Sequence, residues 1–253
     1  MEQIGYALDP VVATVILTIL MLGAWRIGIR LGRRLRAGNG MAPQFDSAAM
    51  ALLGLLLAFA FGTSMGKYEQ RRIAVVQDSN AIGDFYTCAT LLKEPIRSKL
   101  QAVIRGYTEQ RLKVARQQVN SLNLESALTD FERTHQQMTT LVDQALSGGT
   151  PIAESLTNTL NAVTGTHSAQ LAAIRDRLPG DVLVLLFLAT IVTTILIGRS
   201  QGFLGSFDPI GMLCFVLIVS LVIYVTLDLN WPEGGSIRVS QEPIERLMSS
   251  IQK

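Results

Sequence analysis

Apolar positions along the chain follow two kinds of pattern. Four stretches are apolar on every side of a helix: Pro10 to about Ile29, Ala48–Met65, Val182–Gly198 and Pro209–Leu227. Each approaches the roughly 20 residues that an α-helix needs to cross about 30 Å of hydrocarbon. Arg26 lies near the end of the first stretch, where an arginine can extend its stem along lipid and reach the headgroups. Between the second and third stretches apolar residues recur at spacings of three and four instead, the signature of amphipathic helices. The pattern predicts an all-α protein. Residues 1–66 hold two spans and a short basic connection, 67–180 a helical domain outside the membrane, 181–228 two further spans, and 229–253 a polar C-terminal tail.

The middle domain divides at its breakers. One helix is expected to continue out of the second span through Tyr68 to Leu92, with Ile82, Phe85, Tyr86, Ala89 and Leu92 on its apolar face, and to break at Glu94-Pro95. A second begins near Pro95 and carries Ile96, Leu100, Val103, Ile104 and Tyr107 on one side. A third, from about Leu124 to Leu146, has Leu124, Leu128, Phe131, His135, Met138, Val142 and Ala145 at alternating spacings of four and three, a seam for helix–helix packing. Ser147-Gly148-Gly149-Thr150 ends it. A fourth carries Ile152, Leu156, Leu160, Val163, His167, Leu171, Ile174 and Leu178 up to Pro179-Gly180, so the last two predict an antiparallel hairpin.

Charge agrees with this partition. Of 22 basic residues, 13 lie between Lys67 and Arg177, and 11 of the 20 acidic residues lie in the same stretch. A net charge of +2 gives no case for nucleic acid as a partner. The first apolar stretch follows Glu2 and Asp9 and precedes its basic cluster, the reverse of a signal peptide, so it is expected to be a retained span. The connection between the first two spans holds Arg26, Arg30, Arg33, Arg34 and Arg36 against Asp46 alone. Short basic loops tend to stay in the cytoplasm, which would place the helical domain on the other side. Lys67, Arg71, Arg72, Arg175, Arg177, Arg238 and Arg246 near the opposite span ends make the count even and leave the orientation open. The same arginines are candidates for anionic lipid headgroups.

Candidate chemistry is sparse. No phosphate-cradling glycine loop, zinc-protease motif or nucleophile elbow occurs, and no enzymatic activity or cofactor is expected. The spans contain hydroxyls rather than the carboxylates and imidazoles of a proton relay. Asp228, Asn230 and Glu233 at the end of the last span are expected to be a solvated helix-end cluster. Cys88 and Cys214 fall in different environments and are not expected to pair. His135 and His167 fall on facing seams of the hairpin, about one turn apart or ~5 Å along the axis. Two buried seam residues are the ordinary account; a metal or proton-sensing pair is the sharper one, and it lacks a third ligand. Gly54, Ala58, Gly62 and Gly66 form a small-residue stripe on the second span, suited to close helix packing in lipid.

The run Leu52-Leu53-Gly54-Leu55-Leu56-Leu57-Ala58-Phe59-Ala60-Phe61-Gly62, followed by Tyr68, Glu69, Arg71 and Asn80, resembles the second span of bacterial bestrophins. The whole chain resembles a bacterial family of four-span proteins described as bestrophin-like and of unknown function. That likeness also rests on Leu92–Arg97, on Leu227–Pro232 and on Ile237–Pro243. The resemblance implies a multi-pass protein of the bacterial inner membrane and a homo-oligomeric anion channel, pentameric if it follows the bestrophins. Its second spans would surround a pore, with an apolar neck at Leu55, Phe59 and Thr63. Thr63 stands where the bestrophin neck is bulky and apolar, and the aromatic pair after that span is reduced to Tyr68. The alternative is a non-conducting membrane module whose helical domain senses or binds a partner.

Overall fold

The structure, a computed structural model, describes residues 9–37, 45–116, 121–232 and 234–252, with the side chains of 121–128 outside the described set. Among the described residues every regular element is a helix: α1 (Pro10–Ala37), α2 (Asp46–Thr90), α3 (Ile96–Arg116), α4 (Ser121–Ser147), α5 (Ala153–Arg175), α6 (Gly180–Leu204), α7 (Pro209–Leu229) and α8 (Glu242–Ile251). The helices form two compact units, one of residues 1–68 and 177–237, the other of 69–176 and 238–253. The 45 residues of helix α2 contribute to both units. Helices α1, α2, α6 and α7 are long and apolar enough to cross a membrane.

In the membrane unit the closest packing is made by glycine. Helices α1 and α6 run parallel. A Cβ at Gly28 would fall on the Ile195 carbonyl oxygen, and one at Gly32 on the Arg199 carbonyl oxygen. The reciprocal holds: Gly198 meets the Trp25 carbonyl and Gly202 meets the Ile29 carbonyl. Lipid offers no hydrophobic force between apolar helices, so association in a bilayer depends on such close approach. Both helices carry the pattern Gly-x-x-x-Gly at this contact, Gly28–Gly32 and Gly198–Gly202. Trp25 is buried there, its indole donating to the Gln201 side-chain oxygen at 2.9 Å and stacking on Phe207 at 5.2 Å. Helix α7 completes the core with Met212, Val216, Val219 and Ile223 against Leu17, Met21 and Leu186. Thr18 and Ser220 share a hydrogen bond of 2.8 Å between α1 and α7. Several other span hydroxyls bond back to their own helices, as Thr190 does to Leu186 and Thr194 to Thr190.

The helical unit buries most of the faces expected from periodicity. Phe85, Leu100, Ile104, Met138, Val142, Leu156 and Val163 share one core. Leu124 and Leu128 of the predicted seam lie outside the described side chains. The turn between α4 and α5 closes as a Schellman motif: the Thr150 amide donates to Ala145 and the Gly149 amide to Leu146. Gly149 sits at φ 74°, where a side chain is disfavoured.

Two findings differ from the sequence reading. The tail contains helix α8, which packs on α3 and joins the helical unit through Ile244, Leu247 and Ile251. The Ile251 carbonyl accepts from Arg105 at 2.7 Å, Ser79 donates to the Pro243 carbonyl at 2.9 Å, and Arg116 pairs with Glu245 at 2.7 Å. The expected solvated cluster after α7 is instead buried. Asp228 is 3% exposed and accepts from the Ser236 amide and hydroxyl and from the Ile237 amide, because the following loop folds back over it. Asn230 accepts from the Leu178 amide at 2.6 Å, while Glu233 lies outside the described residues. Three donors satisfy the Asp228 carboxylate, which makes its burial tolerable.

Gly198→Val should separate α1 from α6 by forcing side-chain atoms into backbone, at a cost of at least about 1–3 kcal/mol. Thermal unfolding in detergent should show a lowered midpoint for it and little change for Gly23→Val, whose Cβ would meet open space.

Candidate functional site

The membrane half of α2 is inserted differently from the other spans. Its buried positions, Leu53, Ala60 and Ser64, lie at intervals of seven and four and hold one narrow face against the bundle. The opposite side is open within the chain. Leu55 and Phe59 are 54% and 67% exposed, and Thr63 is exposed beside them. Gly54, Gly62 and Gly66 have no atom of a neighbour within 4 Å of where a Cβ would stand, and Ala58 is exposed with them. Helical spacing places that stripe and the Leu55–Phe59–Thr63 row on adjoining faces, both turned away from the packed one. Among the described residues the glycines of the stripe therefore make no close helix–helix contact; those between α1 and α6 belong to Gly28, Gly32, Gly198 and Gly202, which the sequence reading did not single out. The Thr63 hydroxyl donates to the Phe59 carbonyl at 2.8 Å, so its proton is committed to the helix.

Arg26, Arg30, Arg33, Arg34 and Arg36 are all exposed along the C-terminal third of α1. The Arg36 guanidinium occupies the space a Cβ at Gly205 would take, at the end of α6.

The two histidines are brought together. His135 and His167 line one cleft of about 340 Å³ with Tyr107, Phe131, Val163 and Thr164. Thr164 Oγ1 and His135 Nε2 are 3.3 Å apart, and the His167 ring lies 5.2 Å from that of Phe131. Burial, and secondarily the Arg111 cation, push the His167 pKa down to about 4, against a smaller upward pull from Asp78. His167 is therefore neutral across the pH range of most cells, which argues against a proton sensor at this position. Among the described residues no group of three His, Cys, Asp or Glu side chains could hold a metal ion. Cys88 and Cys214 are both free thiols.

A family model described as Bestrophin-like domain matches residues 12–244. The chain belongs to the Bestrophin-like family. No curated protein and no solved structure matches it. The match runs from within α1 to the start of α8, so all four apolar helices and nearly all of the helical unit of this Bestrophin-like protein belong to the family's shared pattern.

Helical periodicity could not show how the helical unit of the Bestrophin-like protein is pinned at its centre. Asp78 on α2 and Arg111 on α3 form an ion pair at 2.6 Å, with side chains 0% and 8% exposed. Arg111 donates to Asp78 from both Nε and Nη2, Thr166 on α5 donates to the second carboxylate oxygen at 3.1 Å, and the guanidinium lies 5.4 Å from the Phe131 ring on α4. One buried pair thus engages all four helices. The Tyr107 hydroxyl beside it is pushed well above its ordinary pKa by burial. The available signal was a lone Asp and a lone Arg on otherwise apolar helix faces, 33 residues apart.

Removing one partner of a buried pair costs about 3–5 kcal/mol because the other charge is left uncompensated, whereas replacing both by apolar residues of similar volume is often neutral. Arg111→Met should therefore lower unfolding stability by that amount, and Asp78→Leu with Arg111→Met should recover most of it. Denaturant titration of the three proteins in detergent checks this.

Proposed function

We propose that this membrane protein is an oligomeric, anion-conducting channel in which the membrane half of α2 lines the pore. The observation that carries the reading is the open face of α2. A span with one side packed and the other presenting Leu55, Phe59 and Thr63 beside a stripe of small residues suits a ring of copies. The small residues would let neighbouring helices approach, and the Leu55–Phe59 row would form the lumen. Membership of the Bestrophin-like family supports the same reading. So does the tight α1–α6 contact, because glycine-mediated packing leaves no water path there within a single chain. With no ionisable side chain in the Leu55–Phe59–Thr63 row, an apolar neck of this kind gates by dewetting rather than by binding the ion. The reading includes a bacterial plasma-membrane location and assigns the protein no enzymatic reaction and no cofactor.

A second reading is favoured by α2 itself. A helix that continues from the span into the helical unit would serve as a lever in a non-conducting module that reports a partner bound to that unit. Symmetry separates the two: a closed ring of copies supports the pore, and a monomer or two-fold dimer supports the lever.

Purified protein in liposomes loaded with a chloride gradient should dissipate it, and Phe59→Ala should raise the rate by widening the neck. Absence of flux from both proteins, whatever the anion and the polarity of the gradient, removes the channel.

A further inference from the structure

The arginine end of α1 has features that a topology signal does not require. Helix α1 buries Met21, Ala24, Trp25, Gly28, Ile29 and Gly32. At 100° per residue those positions share one side, and Arg26, Arg30 and Arg33, spaced four and three apart, fall on the other. The packing with α6 thus fixes the rotation of α1 and turns this row outward, away from the bundle.

Depth follows from helix rise. Pro10 to Trp25 is a run of 16 uncharged residues, or about 24 Å of helix. Arg26 therefore stands about 6 Å short of the edge of a hydrocarbon layer about 30 Å thick, a distance its stem can reach across to the headgroups. Arg33 stands about 10 Å further along. The row therefore rises through the headgroup layer, where the phosphates of a phospholipid lie.

Its charge meets no partner carboxylate among the described residues. Among the described residues Arg26, Arg30 and Arg33 are exposed and make no ion pair or side-chain hydrogen bond. Of the two carboxylates flanking α2 and α7, Asp208 is engaged in capping α7 through the Gly211 amide at 2.9 Å, and Asp46 begins α2. The chemistry of the cations is selective too. All five basic residues from 26 to 45 are arginine and none is lysine, although either satisfies the topology rule. The planar guanidinium fork matches two phosphate oxygens at once, which an ammonium cannot do.

We propose that Arg26, Arg30 and Arg33 form an outward-facing ladder on α1 that binds the phosphodiester headgroup of an anionic phospholipid.

The test uses the full chain purified in neutral detergent, titrated with mixed micelles containing phosphatidylglycerol, with phosphatidylcholine micelles and inorganic phosphate as parallel arms. The readout is the thermal unfolding midpoint as a function of added lipid. Phosphatidylglycerol should raise the midpoint saturably, with an effect that weakens as salt rises, and neither phosphatidylcholine nor phosphate should do so. Each arginine near an anionic headgroup is worth roughly a factor of five, so R26Q/R30Q/R33Q should weaken the apparent affinity about a hundredfold. R26K/R30K/R33K keeps the topology signal and should bind more weakly than the parent and more tightly than the glutamine variant. An equal response to both lipids, an equal response to inorganic phosphate, or unaltered affinity in the glutamine variant overturns the ladder. Should the glutamine variant fail to fold, the lysine variant decides: affinity equal to the parent's overturns the role of the arginine fork.

Discussion

The membrane unit depends on backbone touching backbone. Four glycines, Gly28 and Gly32 on α1 and Gly198 and Gly202 on α6, let the two helices meet at distances that any Cβ would forbid. Apolar side chains gain nothing by leaving lipid for each other, so contact of this closeness is what holds such helices together. Its consequences spread outward. It fixes the rotation of α1, burying Trp25 and turning Arg26, Arg30 and Arg33 away from the bundle. It also commits one face of α6, alongside which α7 packs its own apolar residues. In its membrane half, helix α2 contributes Leu53, Ala60 and Ser64 to the buried set, packs Leu56 and Leu57 partly against the bundle, and leaves Leu55, Phe59 and Thr63 exposed.

The helical unit answers to a different solvent and uses different means. There the hydrophobic effect builds the core, and the buried ion pair Asp78–Arg111 sets how its helices meet. An ion pair in such a place is weak as a source of stability, since desolvation offsets its attraction. Its hydrogen bonds reach α2, α3 and α5, and its cation lies over the Phe131 ring of α4, so a shift of any helix breaks a specific contact. Helix α8 closes the unit by giving the Ile251 carbonyl to Arg105 and Ile244 to the core.

Much of this was legible from residue spacing. The spans announced themselves by length without charge, and the breaks at Pro95 and Gly148-Gly149 fell where the helices end, whereas α5 stops at Arg175, short of Pro179, and Leu178 packs in the membrane unit. The continuation of α2 out of the span followed from unbroken periodicity through Tyr68. What escaped has a common cause: it depends on residues far apart in the chain. Asp78 looks like a solvated charge until Arg111 is placed beside it, and Asp228 until Ser236 and Ile237 fold over it. The Gly-x-x-x-Gly pairs on α1 and α6 were visible, but the longer stripe on α2 looked equally suited to packing. Only the arrangement of helices shows that one is used within the chain and the other is not. Helix α8 was missed for a simpler reason. Ten residues with three apolar anchors carry a weak periodic signal, although Pro243 in its first turn and the spacing Ile244–Leu247–Ile251 were there to be read.

The central claim is that the open face of α2 meets the same face in neighbouring copies. Cysteine placed at Gly62, in protein with Cys88 and Cys214 replaced by serine, tests it in native membranes under mild oxidation. The account predicts cross-linked species between copies from Gly62→Cys and none from Leu53→Cys, which faces into its own bundle. Protein that remains entirely monomeric with cysteine at position 62, under oxidant that modifies the thiol, would contradict it.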